Sequence, residues 1–214
     1  MFFSDFTNKY LPKIQSVTLP GINAHILMAP SGRQPTLSPD YYISMNPRAS
    51  AVMLLVYPRN GEATLVLTKR RTYAGVHSAQ VSFPGGKAEL EDTDLEHTAL
   101  RETFEEIGIA SDIIRVSMRF TDLYIPPSNF LVSPFLGILD NEPVFHPADY
   151  EVAEIIELPL SMLLNDTIVQ NAALEASYAP LAKVPAFNVY GHIVWGATAM
   201  MLSEFKEVLK KVLK

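Results

Sequence analysis

Three glutamates, Glu102, Glu105 and Glu106, lie at spacings of three and four residues shortly before Gly108. On an α-helix these spacings bring the carboxylates to one face, where like charges repel by about 0.2–0.5 kcal/mol per pair. The group also lies at the carboxyl end of the helix, whose dipole disfavours acids by roughly 0.3–1 kcal/mol each. A local arrangement that costs stability is typical of a functional site, and a bound divalent cation would offset the cost.

A glycine turn, Ser82-Phe83-Pro84-Gly85-Gly86, precedes the glutamates. Mg²⁺ and Mn²⁺ prefer hard oxygen ligands, usually a few carboxylates combined with water and substrate phosphate. Three carboxylates beside a turn whose backbone can approach a ligand closely meet that need. The alternative is a solvated helix face on which Arg101 pairs with Glu105 and relieves part of the repulsion. The adjacent turn favours the metal site.

The helix that must carry these glutamates is predicted from its end signals. Thr93 and Glu96 predict a capping box at its start, with Asp92 and Asp94 beside it, and Gly108 predicts its end. The apolar face opposite the glutamates is predicted to contain Leu100, Thr103, Phe104 and Ile107.

Apolar runs on both sides of this helix predict strands. We expect strands or hairpins at residues 51–57, 63–68, 80–83, 113–123, 130–139, 151–158 and 186–194. A short amphipathic helix is predicted between Phe2 and Ile14, and a last helix from about Ala197. The last helix either binds a membrane through its lysines or packs its apolar face on the core with the lysines on the solvent-exposed face. We favour the second alternative. Strands before and after a central helix indicate an α/β fold with a mixed sheet.

The composition indicates an ordinary globular chain. Its 214 residues are 48% hydrophobic and 19% charged, which predicts one domain, residues 46–214, with an N-terminal extension, residues 1–45, packed on it. A net charge of −6 argues against a nucleic-acid partner, because such binding needs a basic surface.

Cysteine usage and the N-terminal sequence bear on location. The chain has no cysteine, which excludes disulfides and thiolate metal sites and fits the reducing cytoplasm. We see no signal peptide, and no apolar run approaches the ~18 residues that a membrane span needs. We therefore expect a cytoplasmic protein without a membrane partner, and we leave open whether it forms a homodimer.

The stretch from Gly86 to Ile109 resembles the Nudix box, Gly-x5-Glu-x7-Arg-Glu-U-x-Glu-Glu-x-Gly-U, where U is apolar. Six positions agree with it: Arg101, Glu102, Glu105, Glu106, Gly108 and Ile109. Asp92 replaces the usual glutamate, eight residues rather than seven separate it from Arg101, and Thr103 is less apolar than the pattern prefers. The longer spacer resembles the coenzyme A diphosphatase branch of the family.

This resemblance implies a Nudix-like α/β/α sandwich over residues 48–212 and a pyrophosphohydrolase that uses Mg²⁺ or Mn²⁺ on a small nucleotide-diphosphate substrate. It implies metal ligands at the Gly86 carbonyl and at three carboxylates, those of Glu102, Glu105 and Glu106. Glu102 and Glu105 are also expected to be catalytic, with Arg101 orienting a glutamate.

Two residue roles stay open at this point. We expect Asp92 to serve only at the start of the helix. The general base is a glutamate of the box or one from a later loop, for which Glu151 and Glu154 are the candidates.

Further segments resemble coenzyme A diphosphatases: 65–68, 77–86, 127–128, 130, 134–135 and 191–198. Gly75 and Ala79 depart from that pattern, which has an arginine and a glycine there. We expect hydrolysis of coenzyme A or an acyl-CoA to 3′,5′-ADP and 4′-phosphopantetheine, with ADP-ribose, a nucleotide sugar or a nucleoside triphosphate as alternative substrates. A non-catalytic nucleotide-binding module is disfavoured, because the three glutamates are retained.

Substrate contacts are expected from one basic residue and several aromatic residues. Arg70, or its neighbours Lys69 and Arg71, would replace the missing arginine. Aromatic rings that could stack on adenine are those of Tyr73, Phe83, Tyr124 and Phe130. Trp195 is interpreted as a packing residue.

Overall fold

A computed structural model describes residues 1–71, 80–176 and 179–214, and within these ranges the chain forms eleven strands and seven α-helices. The strands are β1 (Arg48–Arg59), β2 (Glu62–Arg70), β3 (Val81–Ser82), β4 (Gly85–Lys87), β5 (Arg115–Arg119), β6 (Leu123–Ile125), β7 (Phe130–Ile138), β8 (Val152–Pro159), β9 (Val169–Ala176), β10 (Ala179–Val189) and β11 (His192–Trp195). The helices are α1 (Phe3–Asp5), α2 (Leu11–Ser16), α3 (Ile22–His25), α4 (Pro39–Ser44), α5 (Leu95–Ile107), α6 (Leu160–Leu164) and α7 (Gly196–Val212). A π-helical segment, Phe6–Tyr10, joins α1 to α2.

The main sheet divides at the end that carries the glycine turn. The parallel pair β1 and β7 runs from Arg48 opposite Phe130 to Val56 opposite Ile138. β1 pairs with β2 at one end and with β4 at the other, while the end of β2 pairs with β3. Because β8 occupies the other side of β2, β3 and β4 lie between β2 and β1. The strand order at this end is therefore β8, β2, β3, β4, β1, β7 and β6.

Two tight hairpins lie where the sequence predicts them. Asn60 and Gly61 join β1 to β2, and Tyr190 and Gly191 join β10 to β11 in a second sheet of β9, β10 and β11. All four residues have positive φ, which suits the two-residue turns that match strand twist.

Helices cover both faces of the main sheet, because side chains alternate along β1. Met53, Leu55 and Tyr57 share one core cluster with Ala99 and Ile107 of α5. The intervening residues of β1 share another cluster with α7 and the N-terminal helices. The predicted α/β/α sandwich with a mixed sheet and an N-terminal helical extension is confirmed.

The N-terminal segment is bound to α7 through a buried carboxylate. Glu204 accepts hydrogen bonds from the backbone of Gly21 (3.0 Å) and from the backbone and hydroxyl of Thr121 (3.2 and 2.6 Å), and it lies 3.2 Å from His25 Nε2. Glu204 and Lys206 are both buried, so the predicted solvated back of α7 is wrong over this stretch. The division of the chain at residue 45 stays a prediction.

None of the helices in the described ranges is long and apolar enough to cross a membrane.

Two sequence predictions differ from the observed elements. The strand expected at 113–123 is divided into a 3₁₀ turn, Ser111–Ile113, followed by β5 and β6. The chain turns between these strands because Arg119 binds Asp122 and Thr121 binds Glu204.

The start of α5 is also shifted by one residue. Asp94 is the N-cap, accepting from the backbone N–H of His97 at 2.8 Å, so the predicted cap at Thr93 is wrong. The buried face of α5 contains Ala99, Thr103 and Glu106, whereas Phe104 is 57% exposed. The prediction that Phe104 is buried is therefore wrong.

Candidate metal and diphosphate site

Helix α5 places its three glutamates in three different environments. It ends at Gly108, which has φ of 72° and donates its N–H to Phe104 O, as the sequence predicts. Near this end the side chain of Glu106 is 1% exposed, that of Glu102 is 14% exposed and that of Glu105 is 45% exposed. The carboxylates therefore extend from the buried face of the helix to its surface.

Arg101 joins two of these glutamates to Asp92. Its Nη1 donates to Glu102 Oε1 and to Glu105 Oε2, both at 3.0 Å. Its Nε and Nη2 donate to the two oxygens of Asp92 at 2.9 and 3.0 Å, and Nη2 also donates to Lys87 O at 3.0 Å. The guanidinium is thus fixed between the glycine turn and the glutamates.

Asp92 has a larger role than the sequence predicts. Its side chain is 2% exposed and also accepts hydrogen bonds from Thr98 Oγ1 (2.8 Å) and the backbone of Glu89 (2.9 Å). The hydrogen bonds from Arg101 hold the pKa of the Asp92 carboxyl well below its usual range. The expectation that Asp92 serves only at the helix start is wrong, because its carboxylate holds Arg101 in place.

Glu106 points into the molecule toward β2. Its carboxylate lies 3.2 Å from Arg70 Nη2 and accepts from Thr68 Oγ1 at 3.4 Å. Burial raises the pKa of Glu106 to about 8, and the nearby carboxylates of Glu151 and Glu102 act in the same direction. Burial also raises the pKa of Glu102. A cation at this point would favour the ionised form of both groups.

The two glycines of the turn are required for different reasons. A Cβ at Gly86 would lie 2.4 Å from the carboxylate carbon of Glu102, so the backbone lies directly against that side chain. A Cβ at Gly85 would lie 2.4 Å from Ala51 O, and its φ of 152° also suits glycine. Arg70 Nη2 lies 3.3 Å from Gly85 O, which connects the turn to the end of β2.

The donor chemistry of this site fits Mg²⁺ or Mn²⁺. Five carboxylates (Asp92, Glu102, Glu105, Glu106 and Glu151) contact two guanidinium groups, those of Arg70 and Arg101, so negative charge is in excess when all are ionised. Among the described residues, no three acidic or histidine side chains are close enough together to form a ready metal site. The reason is geometric, because the two arginines draw the carboxylates in different directions.

An open cavity of about 690 Å³ adjoins the carboxylates. Its polar lining includes Glu102, Arg70, Gly86 and Glu151, and it has an apolar lining as well. Part of that apolar lining is Val52, Ile125, Phe130, Val132, Trp195 and Met201. Sites that hold small molecules are usually apolar with a few placed polar groups, as this cavity is.

Only some of the aromatic residues that were expected to contact the substrate lie at the cavity. Phe83 lines it but is 1% exposed, so its ring has no open face for stacking. Tyr124 is buried against Tyr41 and Tyr42 and does not line the cavity, so its assignment as a base-stacking residue is wrong. Tyr73, together with the positions 75, 77 and 79 considered above, lies outside the described residues.

The structure separates the two candidate bases. Glu151 lines the cavity, with Oε1 3.7 Å from Arg70 Nη1. Glu154 lies in a second groove of about 500 Å³ on another part of the surface, near Lys69 (3.7 Å) and His192 (3.3 Å).

Two parts of the cavity were missed by sequence reasoning. Residues 30–33 of the N-terminal segment form one wall, and Trp195, interpreted from sequence as a packing residue, lines another. No local pattern marks residues 30–33, because their position depends on the contacts of Glu204 far along the chain.

Comparison with known proteins agrees with this geometry. The sequence model of the NUDIX domain matches residues 47–176. Proteins described as the uncharacterized Nudix hydrolase NudL, from Yersinia pestis (strain Pestoides F) and Yersinia pseudotuberculosis serotype O:1b, are each 36% identical over 129 residues. The match covers 60% of this chain and 64% of those relatives.

A solved structure shows the same fold. The Nudix hydrolase RenU from M. Smegmatis superposes with a TM-score of 0.53 at 15% identity, covering 77% of this chain and 87% of that one. At this identity the similarity concerns the fold alone.

Proposed function

The chain belongs to the Nudix family, and we propose that it hydrolyses a nucleoside diphosphate linkage with the help of Mg²⁺ or Mn²⁺. The observation that carries this proposal is the buried Glu106 carboxylate on the same helix as Glu102, whose carboxylate lies against the Gly86 backbone and lines the cavity. Although Arg70 and Thr68 contact it, a carboxylate at the buried position of Glu106 is costly to ionise, because burial raises its pKa to about 8.

The cation would be held by oxygens of Gly86, Glu102, Glu105 and Glu106. When bound, it would neutralise phosphate oxygens and make the attacking water more acidic. Arg101 keeps Glu102 and Glu105 oriented, because three of its nitrogens are themselves fixed by hydrogen bonds to Asp92, Lys87 O and the two glutamates.

Arg70 and Glu151 complete the polar part of the cavity. Arg70 presents a guanidinium beside Glu106 and contacts a phosphate oxygen of the bound substrate. Glu151 accepts the proton of the attacking water, since of the two later-loop candidates, Glu151 and Glu154, it is the one that lines the cavity, while Glu102 is assigned to the cation. The new bond joins the water oxygen to phosphorus, and the bridging P–O bond breaks with its electron pair leaving on the second phosphate.

We further propose coenzyme A or an acyl-CoA as the substrate, giving 3′,5′-ADP and 4′-phosphopantetheine. The long spacer between Asp92 and Arg101 and the resemblance of segments such as 65–68, 127–128 and 191–198 to coenzyme A diphosphatases support this choice. The size and mainly apolar lining of the cavity also suit a substrate with a long, largely uncharged arm.

The test is turnover of coenzyme A and of ADP-ribose with Mg²⁺ or Mn²⁺, with both products identified by mass spectrometry. We expect 3′,5′-ADP and 4′-phosphopantetheine in equal amounts from coenzyme A and a lower kcat/KM for ADP-ribose. A higher kcat/KM for ADP-ribose would reject the substrate proposal but keep the hydrolase. Failure to cleave any diphosphate compound with either metal would reject the hydrolase.

A further inference from the structure

One buried hydroxyl at the cavity lacks a partner. Ser128 Oγ is buried and has no hydrogen-bond partner among the described residues, and Ser128 lines the cavity. A buried polar group without a partner costs about 1–3 kcal/mol, so such groups are uncommon and call for an explanation. A substrate group that hydrogen-bonds this hydroxyl would remove the cost.

The loop around Ser128 is fixed and offers few other donors. Pro126 and Pro127 have no N–H, and Asn129, in the left-handed conformation, accepts from Tyr124 Oη through its side chain at 2.9 Å. The carbonyl of Ser128 already accepts from Arg48 Nη2 at 2.8 Å. Since the Asn129 side chain also donates to Met45 O at 3.3 Å, the Ser128 hydroxyl is the side-chain polar group of this loop that is left for a ligand.

One face of the Phe130 ring, next to this loop, is covered. The guanidinium carbon of Arg48 lies 4.1 Å from the centre of the Phe130 ring and covers one face. Across the loop, Arg33 donates to the carbonyl of Tyr124 and to Thr36 Oγ1, which holds the N-terminal wall against β6. This end of the cavity, lined by residues 30–33, Thr36, residues 126–128 and Phe130, is here called the proline-wall subsite.

The strand order places this subsite away from the other end of the cavity. The proline-wall subsite lies beside β6 and β7, while Thr198 at the start of α7 donates to Val81 O of β3 at 3.0 Å and so places Trp195 near β3. β4, which contains Gly86, and β1 lie between those two ends. A diphosphate near Gly86 and Glu102 would therefore extend one arm toward each end.

We propose that the proline-wall subsite binds the uncharged arm of the substrate, in which an apolar chain is interrupted by single amide or hydroxyl groups, and that Ser128 Oγ hydrogen-bonds one of these groups. This inference rests on the proposed function. A nucleobase fits this end less well, because base recognition uses several hydrogen bonds to the base edges, whereas Ser128 Oγ is a single unpartnered hydroxyl. A flexible amide-containing arm can be held by apolar contacts and one adaptable hydroxyl, which can donate and accept.

The experiment measures binding of the two arms separately, by calorimetry in the presence of Mg²⁺. The probes are 4′-phosphopantetheine and 3′,5′-ADP, neither of which contains the bond that is cut. We expect Ser128→Ala to weaken 4′-phosphopantetheine about fivefold, as loss of one neutral hydrogen bond does, and to leave 3′,5′-ADP unchanged. Ser44→Ala is the matched control, because its hydroxyl is exposed and already donates to Tyr41 O; it should change neither affinity.

Thermal melting distinguishes a ligand-binding hydroxyl from a structural one. Ser128→Ala should melt at the wild-type temperature or above it, because a hydroxyl without a partner contributes nothing to the fold. A melting temperature several degrees lower, an unchanged affinity for 4′-phosphopantetheine, or a selective loss of 3′,5′-ADP would each overturn the subsite. Any of these with normal coenzyme A turnover would leave the proposed function intact, whereas absent turnover of coenzyme A would reject that function.

Discussion

Replacing Glu106 by glutamine tests whether its burial serves a bound cation rather than the fold. Burial raises the pKa of Glu106 from an ordinary 4.5 to about 8. A raised carboxyl pKa means that the folded state binds the proton more tightly, so stability is present at low pH and is lost as pH rises from 4.5 toward 8. At pH 7 the 2.5-unit difference from 4.5 corresponds to roughly 3 kcal/mol, at 1.36 kcal/mol per unit.

The assay is the free energy of unfolding in EDTA, measured by chemical denaturation at pH 5 and pH 7. The free energy of unfolding of Glu106→Gln should match that of wild type at pH 5 and exceed it by up to about 3 kcal/mol at pH 7. The reason is that the neutral amide does not ionise in its buried position. The same variant should lose turnover by about 100-fold or more, as expected when a charged group of the reaction centre is removed.

The control is Glu96→Gln, since Glu96 lies exposed in the first turn of the same helix. It should alter neither the pH dependence nor turnover. The reasoning about Glu106 would be refuted if Glu106→Gln were less stable than wild type at pH 7, or if it kept near-normal activity with Mg²⁺.

Three further predictions concern the groups around the site and the N-terminal segment. Asp92→Asn should lower kcat about 10- to 100-fold with little change in KM, because Arg101 loses the carboxylate that positions it; steady-state kinetics measures both. Gly86→Ala should keep a melting temperature within a few degrees of wild type but lose most turnover, because its Cβ displaces the flexible end of Glu102. Burial opposes ionisation of Glu204, but the contacts with His25 and Thr121 outweigh it and lower its pKa below 4.5, so wild type should lose stability as pH falls through that lowered pKa; Glu204→Gln should lose this acid dependence in denaturation curves.

The Asp92 and glycine predictions have outcomes that would contradict them. Unchanged kinetics in Asp92→Asn would mean that Arg101 needs no anchor. Gly85→Ala is the contrast for Gly86→Ala, because its Cβ would meet the rigid backbone of Ala51 and should cost stability instead. Equal melting temperatures for the two glycine variants would contradict that distinction.

Much of the fold follows from local sequence patterns. Apolar runs predict β1 and β2, alternation predicts β7, and the Asn60-Gly61 and Tyr190-Gly191 turns lie where expected, because turn conformation depends on adjacent residues. The end of α5 at Gly108 is predictable for the same reason.

The sequence did not predict correctly which residues of α5 face the core. Periodicity treats Phe104 as buried because it is apolar, yet its side chain is 57% exposed while the acidic Glu106 faces the core. A hydrophobicity pattern carries no information about a buried carboxylate whose partners, Thr68 and Arg70, come from a strand far along the chain. The role of Asp92 was missed likewise, since its bond to Arg101 depends on how the loop before α5 folds back.

The sequence by itself determined the donor chemistry of the site, because helical spacings of three and four residues collect Glu102, Glu105 and Glu106 without help from the rest of the chain. Only the tertiary structure decided which glutamate is buried and where the cavity lies. The cavity walls come from residues 30–36, 126–130 and 195–201, which long-range packing brings beside the glycine turn. Such contacts depend on burial of apolar surface between distant segments, and no local pattern records which segments will meet.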